Sequence, residues 1–152
     1  MTHFYFAYGM NTNLDSMASR CPTAQIMGAA SLEGYRFLFR RHADVELDYG
    51  SSVEGVLWEI TDEDLDNLDI LEGFPSYYIR SRAWVEYNNK WYVAWVYQMA
   101  DQSYQDQPSW GYVDMCREGY EQNGVNTRQI DEALEHLKVN DEAVDYWGFT
   151  QV

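Results

Sequence analysis

The sequence predicts an α+β domain in which a mixed sheet of about six strands curls toward a small β-barrel, with short helices at its flank. Two observations lead there. The β-like segments mostly follow one another directly, and four short helical segments are too few to cover six strands in βαβ fashion. The apolar fraction of 46% and aromatic fraction of 16% over 152 residues suffice for one sizeable core. There is no internal repeat, low-complexity stretch or Pro/Gly/Ser linker. A single domain is therefore expected over 1–138, followed by an acidic C-terminal tail over 139–152.

The elements read in order. Residues 3–8 (HFYFAY) form a strand that runs into the turn GMNTN, and Asn13 caps a short helix that ends before Pro22. Residues 25–30, 33–40 and 53–60 are rich in β-branched and aromatic side chains, as strands are. Thr61 opens a second helix, with Asp64 three residues on as an acidic form of the capping box. Leu65, Leu68 and Leu71 recur along its face, and Gly73 stands where a glycine ends helices. Residues 77–87 and 91–98 pair across Asn88-Asn89, a dipeptide that accepts left-handed geometry. Ser109 caps a helix with Tyr112, Met115, Cys116 and Gly119 on one face. Ile130, Ala133, Leu134 and Leu137 mark a last helix.

Charge and composition exclude several classes. Asp and Glu number 25 against 10 Lys and Arg, a net charge of −15, so neither a nucleic-acid partner nor an anionic membrane surface is expected. No apolar run reaches the roughly 20 residues of a membrane span. The start, MTHFYFAYG, has no signal-peptide pattern, and a cytoplasmic location is expected. Cys21 and Cys116 read as reduced thiols. His3, His42 and His136 lie scattered with no partner at ligand spacing, so no metal is expected.

Two places carry candidate chemistry. Glu72 ends the second helix, where the macrodipole disfavours a carboxylate. It either points into water, at a cost of a few tenths of a kcal/mol, or is partly buried with a raised pKa, which suits a general acid/base. The flanking acids Asp62, Glu63 and Asp64 read as a solvated face favoured by the dipole. The turn Tyr8-Gly9-Met10-Asn11 reads either as an ordinary strand-to-helix connection or as an anion-binding nest, since Gly9 permits a left-handed or strained backbone whose N–H groups converge.

The combination of segments is more specific. FAYGMNTNL (6–14) resembles the YGSN turn of γ-glutamylcyclotransferases. RCPTAQIMGAASLEGYRFLF (20–39), ADVELDYGSSVEGVLWEIT (43–61), LDNLDILEGFPSYYIR (65–80) and PSWGYVDMCREGYEQNGV (108–125) resemble the later segments of that family, in family order and near-family spacing. The resemblance, to the γ-glutamylcyclotransferase-like (AIG2-like) family, covers about residues 4–137. It implies an enzyme without cofactor that cyclises a γ-glutamyl group to 5-oxoproline and releases the attached amine or amino acid. In that reading Glu72 is the catalytic acid/base. Tyr8, Gly9, Met10 and Asn11 cradle the γ-glutamyl moiety, and Tyr78 and Tyr112 line the pocket, with Tyr77 as the candidate if the register slips by one. The implied partner is a small γ-glutamyl compound, for a monomer or homodimer. The leaving group stays open among amino acid, glutathione-type dipeptide, amine and peptide-linked lysine.

One position departs from the family pattern. The usual serine of the turn is Met10. If that serine acts through its backbone N–H, activity survives; if its hydroxyl contacts substrate, Met10 signals altered specificity or lost activity. Because the cradle's implied work is main-chain work, the first outcome is expected. A non-catalytic γ-glutamyl-binding module on the same fold is the alternative. The 6 Trp and 13 Tyr also raise a carbohydrate-active enzyme, but that chemistry needs two opposed carboxylates in one cleft, and the acids here crowd one helix face.

Overall fold

Two long strands carry the architecture of the computed structural model, which describes residues 1–138. The acidic tail expected over 139–152 lies outside the described residues. Strand β2 (Gln25–Arg40) and strand β3 (His42–Thr61) form one extended antiparallel ladder from Gln25 opposite Glu59 to Arg40 opposite His42. Strand β1 (Thr2–Ala7) pairs antiparallel with β3, and the hairpin of β4 (Tyr78–Tyr87) and β5 (Lys90–Met99) joins β2 at one edge and β1 at the other. The sheet closes as a barrel in the order β1-β3-β2-β4-β5, and its parallel pairing of β1 with β5 makes it mixed. Around it lie α1 (Leu14–Arg20), α2 (Asp62–Glu72), α3 (Trp110–Gln122) and a helix α4 over 128–138.

The barrel has five strands where about six were expected. The segments 25–30 and 33–40 are one strand, bent by register shifts between Ile26 and Gly28 and between Glu33 and Tyr35; such bulges re-aim a strand without ending it. The strand expected over 53–60 begins eleven residues earlier, at His42. Its first part hides its character because Asp44, at 0% exposure, is buried as an ion pair with Arg40 at 2.6 Å. Farther along, Leu47 and Tyr49 are exposed, since this stretch of ladder runs beyond the core.

Local signals set the helix ends as expected. The Asn13 side chain accepts from Asp15 and Ser16 N–H, Ser109 accepts from Tyr112 N–H, and the Asn88-Asn89 turn is left-handed at both residues. Thr61 and Asp64 form the full capping box, and Gly73 closes α2 at φ 65°. Asp64 departs from the solvated face assigned to it. It is buried, accepting from Thr61 N–H at 3.0 Å and the Thr23 hydroxyl at 2.8 Å, while Asp62 and Glu63 stay exposed.

The fold positions the first turn through its carbonyls. After β1 the chain makes one 3-10 turn at Met10–Thr12. Tyr8 C=O accepts from the Tyr120 hydroxyl, Gly9 C=O from Thr12, Met10 C=O from Asn13 N–H, Asn11 C=O from Trp58 Nε1 and Thr12 C=O from Asn123 Nδ2. Helix α3 supplies Tyr120 and lies so close that a Cβ on Gly119 would meet Thr12 Oγ1 at 2.3 Å and Asn13 N at 2.5 Å. Gly119→Ala therefore forces α3 off the turn. Overpacking of this kind costs about 1–3 kcal/mol, to be read as a lowered urea midpoint at unchanged m-value. An unchanged midpoint would show that the contact yields freely.

Candidate active site

A trans peptide points its N–H away from the preceding carbonyl. The carbonyls of Gly9 and Met10 accept within the turn, from Thr12 and Asn13, while those of Tyr8 and Asn11 accept from Tyr120 and Trp58, so the N–H groups of Gly9, Met10 and Asn11 are directed away from these bonds. The three residues line a cavity of about 200 Å³. Every residue singled out in the sequence lines it: Tyr8, Gly9, Met10, Asn11, Glu72, Tyr78 and Tyr112.

Glu72 occupies the last position of α2 and turns its carboxylate into the cavity. Burial pushes its pKa up to about 7, because removing water disfavours the charged form. The positive charge of Arg20 and a hydrogen bond from Asn11 Nδ2 to Oε1, at 3.3 Å, oppose that rise without cancelling it. Of the two readings open at this position, the geometry gives the partly buried one. A carboxyl with this pKa exchanges its proton near neutrality, as an acid/base must.

The tyrosines frame the cavity with hydroxyls already engaged. Tyr8 donates to Tyr97 C=O at 2.6 Å and Tyr78 to Ala43 C=O at 2.8 Å, while the Tyr112 hydroxyl accepts from Ala43 N–H at 3.0 Å. Ala43 thus fixes two rings with one peptide pair, and the buried Asp44–Arg40 ion pair anchors the next residue. Tyr77 and Tyr78 both line the cavity, and burial distinguishes them. Tyr78 lies inside at 5% exposure, whereas Tyr77 sits at the rim, 41% exposed, its hydroxyl on His42 Nδ1 at 3.0 Å. Burial pushes Tyr8, Tyr78 and Tyr112 well above the ordinary tyrosine value, so all three stay neutral.

Of the two backbone conformations expected of Gly9, the left-handed one is not found: its φ is −117° and its ψ −129°. Space also excludes a side chain, since a Cβ would lie 2.9 Å from the Tyr112 hydroxyl oxygen and 3.0 Å from the Ala43 Cβ. Met10 is half-buried, and its thioether accepts from Arg20 Nη2 at 3.4 Å. Sequence reasoning missed Arg20, His42, Tyr5 and Tyr97, which share the lining. Arg20 reads in sequence as a basic residue at a helix end, where it suits the dipole; only the packing of α1 against the turn carries it into the cavity.

Among the described residues no group of three or more His, Cys, Asp or Glu could hold a metal ion, and no helix is long and apolar enough to cross a membrane. The arrangement sets the backbone turn of Gly9, Met10 and Asn11 beside a proton-exchanging carboxyl. It is suited to hold an anionic group while a proton moves within the same small space. Gly9→Val should displace Tyr112 and weaken binding of a γ-glutamyl ligand by about tenfold or more, or 1.4 kcal/mol, in a calorimetric titration. Unchanged affinity would place binding elsewhere.

Comparison with known proteins bears on the same residues. A family model described as gamma-glutamyl cyclotransferase, AIG2-like, matches residues 5–115, a span that holds the turn, Glu72 and Tyr112. No curated protein matches the chain in sequence. A solved gamma-glutamyl cyclotransferase superposes with a TM-score of 0.76 at 22% identity, over 88% of this chain and 86% of that one. An uncharacterized protein from Homo sapiens gives 0.79 at 24% identity, over 87% and 86%. YkqA from Bacillus subtilis gives 0.75 at 22%, over 90% of this chain and 54% of that one. The structures show a shared fold, the sequence model goes further, and together they establish that this chain belongs to the gamma-glutamyl cyclotransferase, AIG2-like family.

Proposed function

We propose that the protein cyclises the γ-glutamyl group of a small compound to 5-oxoproline, releasing the attached amine or amino acid, with Glu72 as the acid/base group. The observation that carries this reading is the Glu72 carboxyl, its pKa raised to about 7, lining one cavity with the turn residues Gly9, Met10 and Asn11.

Each step follows from those groups. The substrate's α-ammonium cannot attack while protonated. Ionised Glu72 takes one proton, and the amine nitrogen then attacks the γ-carbonyl carbon, closing a five-membered ring through a tetrahedral intermediate. Turn N–H groups stabilise its oxyanion or hold the α-carboxylate. Glu72 returns the proton to the departing nitrogen as the old C–N bond breaks; the ring nitrogen's second proton then passes through the same carboxylate to the released amine, which leaves as the ammonium, so one carboxyl serves both directions of transfer. Because attack is intramolecular, folding the chain of the substrate into a near-attack geometry supplies much of the acceleration. The aromatic frame of Tyr8, Tyr78 and Tyr112 gives the cavity a fixed shape for that purpose.

Glu72→Gln keeps the size and the acceptor for Asn11 but removes the base. Release of 5-oxoproline across a panel of γ-glutamyl compounds should fall by about 10²–10⁴-fold; release at the wild-type rate would end this reading. The same variant has a stability signature. A carboxyl whose folded pKa, about 7, exceeds its unfolded value of 4.5 contributes stability at low pH that is lost as pH rises through 7. Glu72→Gln should therefore be more stable than wild type at pH 8, by at most about 3 kcal/mol, with the gain vanishing below about pH 4.5. A variant less stable at pH 8 would contradict the burial argument.

Met10 tests the cradle. Methionine fills irregular space but donates no hydrogen bond. Met10→Ser should leave the backbone donors in place and shift which leaving groups are accepted, changing kcat/KM on the preferred substrate by less than the loss of Glu72 does. Wild type inert on every compound with Met10→Ser active would replace catalysis by ligand binding. Coincident profiles would place Met10 out of substrate contact.

A further inference from the structure

The cavity contains a cation that the reaction above does not use. Arg20 ends α1 and reaches the turn, where Nη1 donates to Asn11 Oδ1 at 2.6 Å and Nη2 to Met10 Sδ at 3.4 Å. A guanidinium carries donors only, so it dictates which end of the Asn11 amide faces it. With the oxygen turned to Arg20, Nδ2 turns the opposite way and donates to the Tyr5 hydroxyl at 3.0 Å and to Glu72 Oε1 at 3.3 Å. The amide rotated by half a turn would set its oxygen against the Glu72 carboxylate and its NH₂ against the guanidinium, and both contacts would repel. The direction of donation therefore runs from Arg20 through Asn11 to Glu72.

We propose that Arg20 is a positioning residue: by fixing the Asn11 amide it holds Glu72 through Oε1 and leaves Oε2 as the oxygen that receives the substrate's proton. The inference rests on the reading of Glu72 as the acid/base group. It also explains how a desolvated carboxylate at a helix C-terminus can ionise near neutrality, since a hydrogen bond and a nearby cation both favour the charged form. The other groups around Glu72 do not substitute for Arg20. Tyr5 from β1, Tyr8 beyond its end, Tyr78 from β4 and Tyr112 from α3 are held neutral by burial. Burial and the charge of Arg41 push His42, also in the lining, below its ordinary value, and burial pushes Cys21, the residue after Arg20, up to about 12. The Nη1 and Nη2 of Arg20 each commit one N–H, to Asn11 and to Met10, which ties the guanidinium to the turn.

The test is a ¹³C-carboxyl NMR titration of Glu72 in the substrate-free protein, the resonance assigned by its absence in Glu72→Gln. The wild-type midpoint is expected near 7. Arg20→Met should raise it by about one unit or more, and Arg20→Lys, which keeps the charge and one donor toward Asn11, should stay within about half a unit of wild type. In turnover, Arg20→Met should lower kcat at pH 7 by about fivefold or more and recover it above the new midpoint, with KM changed less than about threefold. An unchanged midpoint in Arg20→Met overturns the proposal. So does a raised KM with kcat and midpoint unmoved, which would make Arg20 a direct substrate ligand. Should Arg20→Met fail to fold, Arg20→Leu, which likewise removes both donor and charge, is read by the same criterion. Because the midpoint is measured without substrate, its outcome is independent of whether Glu72→Gln still releases 5-oxoproline.

Discussion

Keeping the Glu72 carboxylate out of bulk water is the unfavourable arrangement on which the rest of the site depends. Desolvation and the negative end of α2 act against the ion together. The helix tolerates this because it is secured elsewhere, by the capping box at Thr61 and Asp64, by Leu65 and Leu68 in the core, and by the left-handed Gly73 after its last residue. Asp69, one turn before Glu72, is paired with Arg80 at 2.8 Å, so α2 stays docked without help from its terminal glutamate. Confining the cost to one side chain leaves a group that holds its proton weakly at neutral pH. Stability and chemistry are opposed at this residue, as they commonly are at functional sites.

The turn at 8–12 makes that carboxyl useful. Hydrogen bonds from Tyr120, Trp58 and Asn123 to its carbonyls come from α3, β3 and the end of α3, so barrel and helix must both be in place before the N–H face exists. Close approach at Gly119 and the paired contacts of Ala43 with Tyr78 and Tyr112 belong to the same construction. The cavity is shaped by backbone and engaged hydroxyls rather than by free side chains. Its shape is accordingly preorganised, and Glu72 is left as the group able to change charge near neutrality.

Much of this was legible in the sequence, for identifiable reasons. Caps such as Asn13, Thr61 and Ser109 and the Asn88-Asn89 turn are local devices, decided by hydrogen bonds within a few residues, and they appear where the sequence puts them. Glu72 stood out because a carboxylate at a helix C-terminus conflicts with the dipole, and the family motifs carried the turn and the tyrosines. Features decided by tertiary contact were not legible. The extension of β3 back to His42 depends on Asp44 being buried beside Arg40, a polar residue at a core position. Asp64 looked like part of a solvated run until Thr23 arrived to cover it. Gly9 was ascribed to backbone freedom alone, and the added constraint of space comes from Tyr112, about a hundred residues away. Arg20 reaches Asn11 and Met10 only because α1 folds back on the turn it follows.

The central claim is that Glu72 works as a base because burial sets its pKa near neutrality, and the pH dependence of kcat/KM for 5-oxoproline release tests it most directly. In the free enzyme the essential base must be ionised, so the acid limb reports its pKa. The account predicts that kcat/KM rises with pH to a plateau with an apparent pKa of about 7, the value to which burial pushes Glu72. An acid limb near 4.5, the ordinary glutamate value, or a rate flat from pH 5 to about 8, would mean that a desolvated Glu72 is not the group that takes the proton.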